Sequence, residues 1–167
     1  MTSLTMKNTL LLFAILFLLW LLLANSLSAQ ELVFGGAVAL AVALLFKKSA
    51  GLLGCIRLTP RALYHGMLLA FIFIRALIKA NIDVAFRVVD PRLPIHPGIV
   101  TVKTTLVSPL GRMLLANAIT LTPGTLTVET NGDLFFIHWI DVTAPGITEA
   151  TQAIVTDFER HLEVFCG

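Results

Sequence analysis

The residues of this chain whose types could do chemistry are four histidines, two cysteines and a cluster of threonines, and their spacing argues against a self-contained active site. There is no P-loop, no GxGxxG after a strand, no HExxH and no paired CxxC. His65, His96, His138 and His161 lie too far apart for a local metal-ligand pattern. His138 is flanked by apolar residues on a predicted strand, which suits a hydrogen-bonded or interface histidine better than a proton relay. Glu129 and Asp141 are scattered and form no general acid–base pair. Thr120, Thr122, Thr125 and Thr127 surround Pro123-Gly124, where a nucleophile or an anion nest is conceivable. A turn whose hydroxyls bond backbone is the simpler reading. Cys55 and Cys166 have no CxxC neighbour and no His at ligand spacing, so both are read as reduced thiols. Arg75 and Lys79 lie in an apolar segment with no acid beside them to carry a proton. They read as head-group anchors or as salt-bridge partners for a neighbouring subunit. No catalytic, cofactor-binding or metal-binding residue is assigned. The predicted contact residues are Arg75, Lys79, Leu134, Phe136 and His138.

The elements that must hold these residues follow from a change of solvent along the chain. Up to Ile82 there are seven basic residues and one acid, and from Asp83 onward five basic residues and nine acids. The chain is 57% hydrophobic and 13% charged, with a mean hydropathy of +0.90. Soluble domains are about a quarter charged, so this is membrane-protein composition. The pI of 8.7 does not indicate nucleic-acid binding, because the basic residues flank apolar runs, as positive-inside topology requires.

Leu10–Ala24 and Leu32–Phe46 are each fifteen consecutive apolar residues. Each gives a helical core of roughly 22 Å, extended by flanking polar residues and snorkelling lysines. The polar connector 25–31 lacks Lys and Arg and suits the non-cytoplasmic turn of a hairpin. Lys7, Lys47, Lys48, Arg57 and Arg61 mark the cytoplasmic side. Lys7, the first apolar core and Leu27-Ser28-Ala29 also fit a secretory signal with its cleavage site. The core length and the second apolar run argue for the hairpin. Leu63–Ile82 has two readings. It is a third membrane span with a polar stripe of Arg61, His65, Arg75, Lys79 and Asp83, or a tilted interfacial helix, and two spans plus an interfacial helix is preferred.

The acidic half reads as a small soluble domain. Ile99–Val107 is a predicted strand, and Ser108-Pro109 is a helix start leading into Pro109–Ile119. Pro123-Gly124 fits a turn, and Thr125–Thr130 with Asp133–Val142 forms a hairpin around Asn131-Gly132. That register puts Leu126, Val128, Phe135, Ile137 and Trp139 on one face, and Thr125, Thr127, Leu134, Phe136 and His138 on the other. Thr148–Phe165 is one amphipathic helix. Val84–Val89 is a strand or a helical extension, and with the strand the order is β-β-α-β-β-α. The expectation is therefore a membrane protein with an N-terminal transmembrane helical hairpin (1–48) and a basic loop with a tilted, interfacial or third transmembrane helix (49–82). A small cytoplasmic α+β domain (83–167) follows, with helices on one side of its sheet.

The segment Leu114-Leu115-Ala116-Asn117-Ala118-Ile119-Thr120-Leu121-Thr122-Pro123-Gly124-Thr125-Leu126, with Pro97-Gly98-Ile99-Val100 before it and Phe136-Ile137-His138 after it, resembles the E-subunit family of Mrp-type multisubunit Na+/H+ antiporters. The chain length, the hydrophobic N-terminal half and Ala80-Asn81-Ile82-Asp83-Val84 also fit that family. The resemblance implies an accessory and assembly subunit of a monovalent cation/proton antiporter in a prokaryotic cell membrane. Its partners would be small membrane subunits, large complex-I-like subunits and the lipid bilayer, with no cofactor and no nucleic acid. A similar subunit occurs in membrane-bound hydrogenases. Asn117, Thr120, Thr122, Pro123, Gly124 and Thr125 match the motif and are read as structural. The competing expectation is a membrane-anchored enzyme or ligand-binding domain that uses the Thr120–Thr125 loop and His138.

Overall fold

The computed structural model describes residues 2–92 and 94–166, which fall into two compact units, Met1–Ile56 and Arg57–Gly167. In the first unit, helix α1 (Thr2–Ala24) and helix α2 (Ala29–Leu45) form a hairpin, and a 3-10 segment, Ser49–Cys55, follows. Among the described residues Met6–Ala24 is long and apolar enough to cross a membrane, and Ala29–Leu45 is a shorter apolar helix. Asn25 ends α1 in the left-handed region (φ 48°), where an asparagine substitutes for the usual glycine. The Ser28 hydroxyl caps α2 by accepting the Glu31 N–H at 3.4 Å. The helices meet along Gly35, Ala39 and Ala43, a buried row of small residues spaced by four. The Trp20 ring lies directly over Gly35, and its Nε1–H donates to the Glu31 carboxylate at 3.0 Å. Leu18, Leu22, Val33, Phe34 and Leu40 stay exposed, as side chains facing acyl chains must. Neither Cys55 nor Cys166 is a free thiol, which corrects the reduced-thiol reading. Separation in sequence and the absence of a CxxC do not report oxidation state.

In the second unit, helix α3 runs unbroken from Pro60 to Val89, with Thr59 as N-cap and Pro60 in the first turn. Val84–Val89 is therefore helix, and the β-β-α-β-β-α order is corrected. The order observed after α3 is β1 (Gly98–Lys103), α4 (Pro109–Leu121), β2 (Thr125–Asn131), β3 (Leu134–Trp139), α5 (Ile147–Ile154) and α6 (Thr156–Cys166). The β-branched valines suggested a strand. The Asp83–Arg87 ion pair at 2.8 Å, one helical turn apart, and the packed inner face of α3 prevail over that preference. The C-terminal helix is also two helices. Buried Val155 separates α5 from α6, and the apolar spacing runs on through the break and conceals it.

The sheet has the order β1-β3-β2, with β3 antiparallel to both neighbours and α4 crossing between the two edge strands. Ser108 caps α4 by accepting the Gly111 N–H at 3.0 Å, as its position before Pro109 predicted. The hairpin loop is Gly132-Asp133, not Asn131-Gly132, because Asn131 pairs with Leu134. Gly132 at φ 61° supplies the positive φ that the first loop position needs. A bulge between Thr127 and Glu129 shifts the register again. The loop shift moves the pairing by two residues and keeps the predicted faces, so it is the bulge that turns the Thr125–Thr127 half of β2 over. Thr125 and Thr127 face the same side as Ile137 and Trp139, and Leu126 lies opposite His138 on the other side. The core consists of Val100, Val102, Leu106, Leu115, Ile119, Phe135, Ile137, Ala150, Val155, Phe158 and Leu162, with Leu69, Ile72, Phe73 and Ala76 of α3 packed against it. All the helices that cover this core lie on one face of the sheet.

Candidate functional site

The turn at Pro123-Gly124 is held by the hydroxyls around it. Thr122 Oγ1 donates to the Ala118 carbonyl at 2.8 Å, Thr125 Oγ1 to Ile119 at 2.6 Å and Thr127 Oγ1 to Ala116 at 3.2 Å, while Thr120 Oγ1 accepts the Thr127 N–H at 3.2 Å. Pro123 and Gly124 make the bend. Gly124 has φ +93°, and a Cβ there would sit 3.0 Å from Ile140 Cγ2. Asn117 is exposed on α4. Thr125 and Thr127 of β2 face the core side and His138 faces the opposite side, so the sheet lies between His138 and the end of the Thr120–Thr125 loop at Thr125.

The uncovered side of the sheet carries the other predicted contacts. Across the three strands Ile99, His138 and Leu126 form one row, with Ile99 65% exposed and Leu126 49%. Thr101, Phe136 and Glu129 form the next row, and Lys103, Leu134 and Asn131 the last. Phe136 and Leu134 are half-buried and His138 is exposed. A Lys103–Asp133 ion pair at 3.2 Å closes this end of the sheet. Lys103 and an Asp133 backbone bond both hold the Asp133 carboxyl below its ordinary range.

Arg75 and Lys79 lie elsewhere, on the outer face of α3. With Phe71, Ile74, Ile78 and Ile82 they line a shallow apolar groove. Both are exposed, and neither makes an ion pair or side-chain hydrogen bond among the described residues.

Three polar clusters were not found from the sequence. Asp141 binds the Arg87 guanidinium at 2.8 Å and His96 Nδ1 at 3.0 Å, and Arg87 also reaches Asp83 at 2.8 Å and the Pro94 carbonyl at 2.6 Å. The His96 bond and the Arg87 charge hold the Asp141 carboxyl below its usual range. Glu159 Oε1 accepts from Thr104 Oγ1 and the Thr105 N–H, both at 2.5 Å, and from the Leu106 N–H at 3.3 Å. That carboxylate fastens the segment just after β1, where the Thr104 N–H still pairs with the Asp133 carbonyl at 2.8 Å, so its Thr105 and Leu106 N–H groups are satisfied without a strand partner. His65 of α3 and His161 of α6 meet Nδ1 to Nδ1 at 3.0 Å. Only the i,i+4 spacing of Asp83 and Arg87 was available as a sequence signal; apart from the Arg87 bond to the Pro94 carbonyl, seven residues away, the other pairings span 45 to 96 residues. Among the described residues no group of three or more His, Cys, Asp and Glu is placed to hold a metal.

Comparison with known proteins gives a consistent result. The family model for Na+/H+ ion antiporter subunit matches residues 13–164. The chain is similar to the E subunit of the Na+/H+ antiporter of Alkalihalophilus pseudofirmus, 33% identical over 144 residues that cover 85% of this chain and 87% of that one. It is similar to the Bacillus subtilis protein of the same name, 34% identical over 130 residues, 74% and 77% of the two chains. A chain in the solved structure of an archaeal respiratory membrane complex, the membrane-bound sulfane sulfur reductase, is 42% identical. It superposes with a TM-score of 0.84 over 95% of this chain and 98% of its own length.

Proposed function

Since the chain belongs to the Na+/H+ ion antiporter subunit family, we propose that it is an accessory subunit that packs and stabilises a multisubunit monovalent cation/proton antiporter without carrying the ion alone. The observation that carries this reading is the near full-length likeness to one chain of a respiratory membrane complex. Such a likeness fits a component repeated among related assemblies better than a free-standing transporter. The chemistry of the chain agrees. An ion carrier needs a carboxylate within its apolar spans, and Glu31, the only acid before Asp83, sits in the first turn of α2 bonded to Trp20. The partners would be the other antiporter subunits, with the uncovered sheet face of Leu134, Phe136 and His138 as the protein-facing surface. Lys47, Lys48, Arg57 and Arg61 favour a prokaryotic cell membrane location with the C-terminal domain on the cytoplasmic side.

Affinity purification of the tagged chain in mild detergent tests the proposal. Large membrane subunits should co-purify and identify the parent assembly. Removing the chain should yield a smaller complex on a native gel and abolish cation-driven proton movement in membrane vesicles. A chain that migrates alone, or vesicles with full antiport in its absence, would overturn the accessory role.

A further inference from the structure

We propose that the outer face of α3 binds an anionic phospholipid at the membrane surface. Arg75 and Lys79 would hold the phosphate, and an acyl chain would lie along Phe71, Ile74, Ile78 and Ile82. The argument begins with what the helix has already committed. Leu69, Ile72, Phe73 and Ala76 pack on the core of their own domain, so the opposite face has no cover from that domain. That face exposes Phe71 by 65%, Ile74 by 53%, Ile78 by 56% and Ile82 by 53%, a continuous apolar strip over three turns. A strip of this kind left uncovered by its own domain marks a binding surface.

The charges identify the occupant. Arg75 and Lys79 are one helical turn apart, a like-charge spacing that is unfavourable without a counter-ion between them. No acid lines the groove, and the nearest carboxylate along the helix, Asp83, is bound to Arg87. The groove thus offers two cations beside a hydrocarbon strip, and a phospholipid combines that complement in one molecule. The chain carries a helix fit to cross a membrane, so such lipids surround it. Tyr64, exposed toward the helix N-terminus, is a residue type that favours the head-group layer. The inference is independent of the ion that the assembly moves.

Native mass spectrometry of the purified complex, incubated with phosphatidylglycerol or phosphatidylcholine, tests it. The wild type should retain phosphatidylglycerol in preference. In the Arg75→Gln/Lys79→Gln variant that retention should fall roughly tenfold or more, as expected for two basic residues at a lipid surface, with phosphatidylcholine unaffected. Both side chains are exposed, and an unchanged melting temperature confirms that the variant is folded. A polarity-sensitive dye on Ile78→Cys, with the complex in phosphatidylglycerol vesicles, gives a second reading. Blue-shifted emission quenched by lipid-borne quenchers supports the site. Undiminished phosphatidylglycerol retention in the double variant overturns it, as does carbodiimide cross-linking of Lys79 to a carboxylate of another subunit.

Discussion

His65 and His161 show how one contact sets a dependence on pH. With their Nδ1 atoms 3.0 Å apart and ring centroids at 5.1 Å, one Nδ1 must be bare to accept from the other. Burial, first, then His65 and Arg160 push the His161 pKa below its ordinary 6.5, with Asp157 opposing them; the edge of Tyr64 meets the His65 ring. A base with a lowered folded pKa binds fewer protons folded than unfolded. Its contribution is therefore complete above the unfolded value of 6.5 and disappears as pH falls through the lowered folded value. The melting temperature of the detergent-solubilised protein should drop on acidification from about pH 7.5 to about pH 5, the range in which histidines titrate. In His161→Gln that drop should be shallower, whatever the variant's absolute stability. Equal slopes would remove the pair from the acid response. Asp141 acts in the same direction at lower pH, since its carboxyl is held below the ordinary 3.8 and its bonds to His96 and Arg87 fail once it is protonated.

Among the elements, the α1–α2 hairpin shows what patterning does and does not disclose. Two fifteen-residue apolar runs and a polar connector were legible as paired helices, but such runs carry no periodicity from which a contact face could be read. The seam depends on two adjacent glycines with opposite tolerances. A Cβ on Gly35 would lie 2.3 Å from Trp20 Cδ1, whereas one on Gly36 meets only Phe17, at 3.8 Å. Gly35→Leu should displace the indole, break its bond to Glu31 and shift Trp20 emission in a Trp139→Phe background. Gly36→Ala should leave that emission unchanged. Matching spectra for the two variants would disprove the seam. In the second unit the turn residues spoke clearly. Ser108-Pro109 starts α4, and Pro123-Gly124 makes its turn through the Thr125 N–H to Thr122 carbonyl bond at 3.2 Å. What failed depended on distant partners. Gly132-Asp133 and the bulge near Val128 set the β2 register, and Glu159 fastens the segment after β1 from 53 to 55 residues away. The candidate site divides in the same way. Its residues were legible by type, but the separation of His138 from Thr125 and Thr127 by the sheet depended on that register.

At the scale of the molecule, the change of charge near Ile82 falls inside a helix. α3 passes through Ile82 without a break, and the compact unit to which it belongs begins at Arg57. Composition follows the solvent around the surface of a helix, whereas folding follows its buried face, and on α3 the two diverge. Leu69, Ile72, Phe73 and Ala76 lie on the basic, apolar side of the composition boundary and pack into the core of the acidic domain. A domain of this size leaves little margin, and removing four such side chains costs several kcal/mol at about 25 cal/mol per Å² of lost burial. A fragment of residues 57–167 in mild detergent should therefore melt cooperatively by circular dichroism. A fragment of residues 84–167, which keeps the whole sheet and α4 to α6, should melt broadly or not fold. If the shorter fragment melts as sharply and at the same temperature, α3 is an appendage to the domain. If only the longer one folds, the helix that bears the lipid-facing groove is also a wall of the domain core, and groove and sheet are one folding unit.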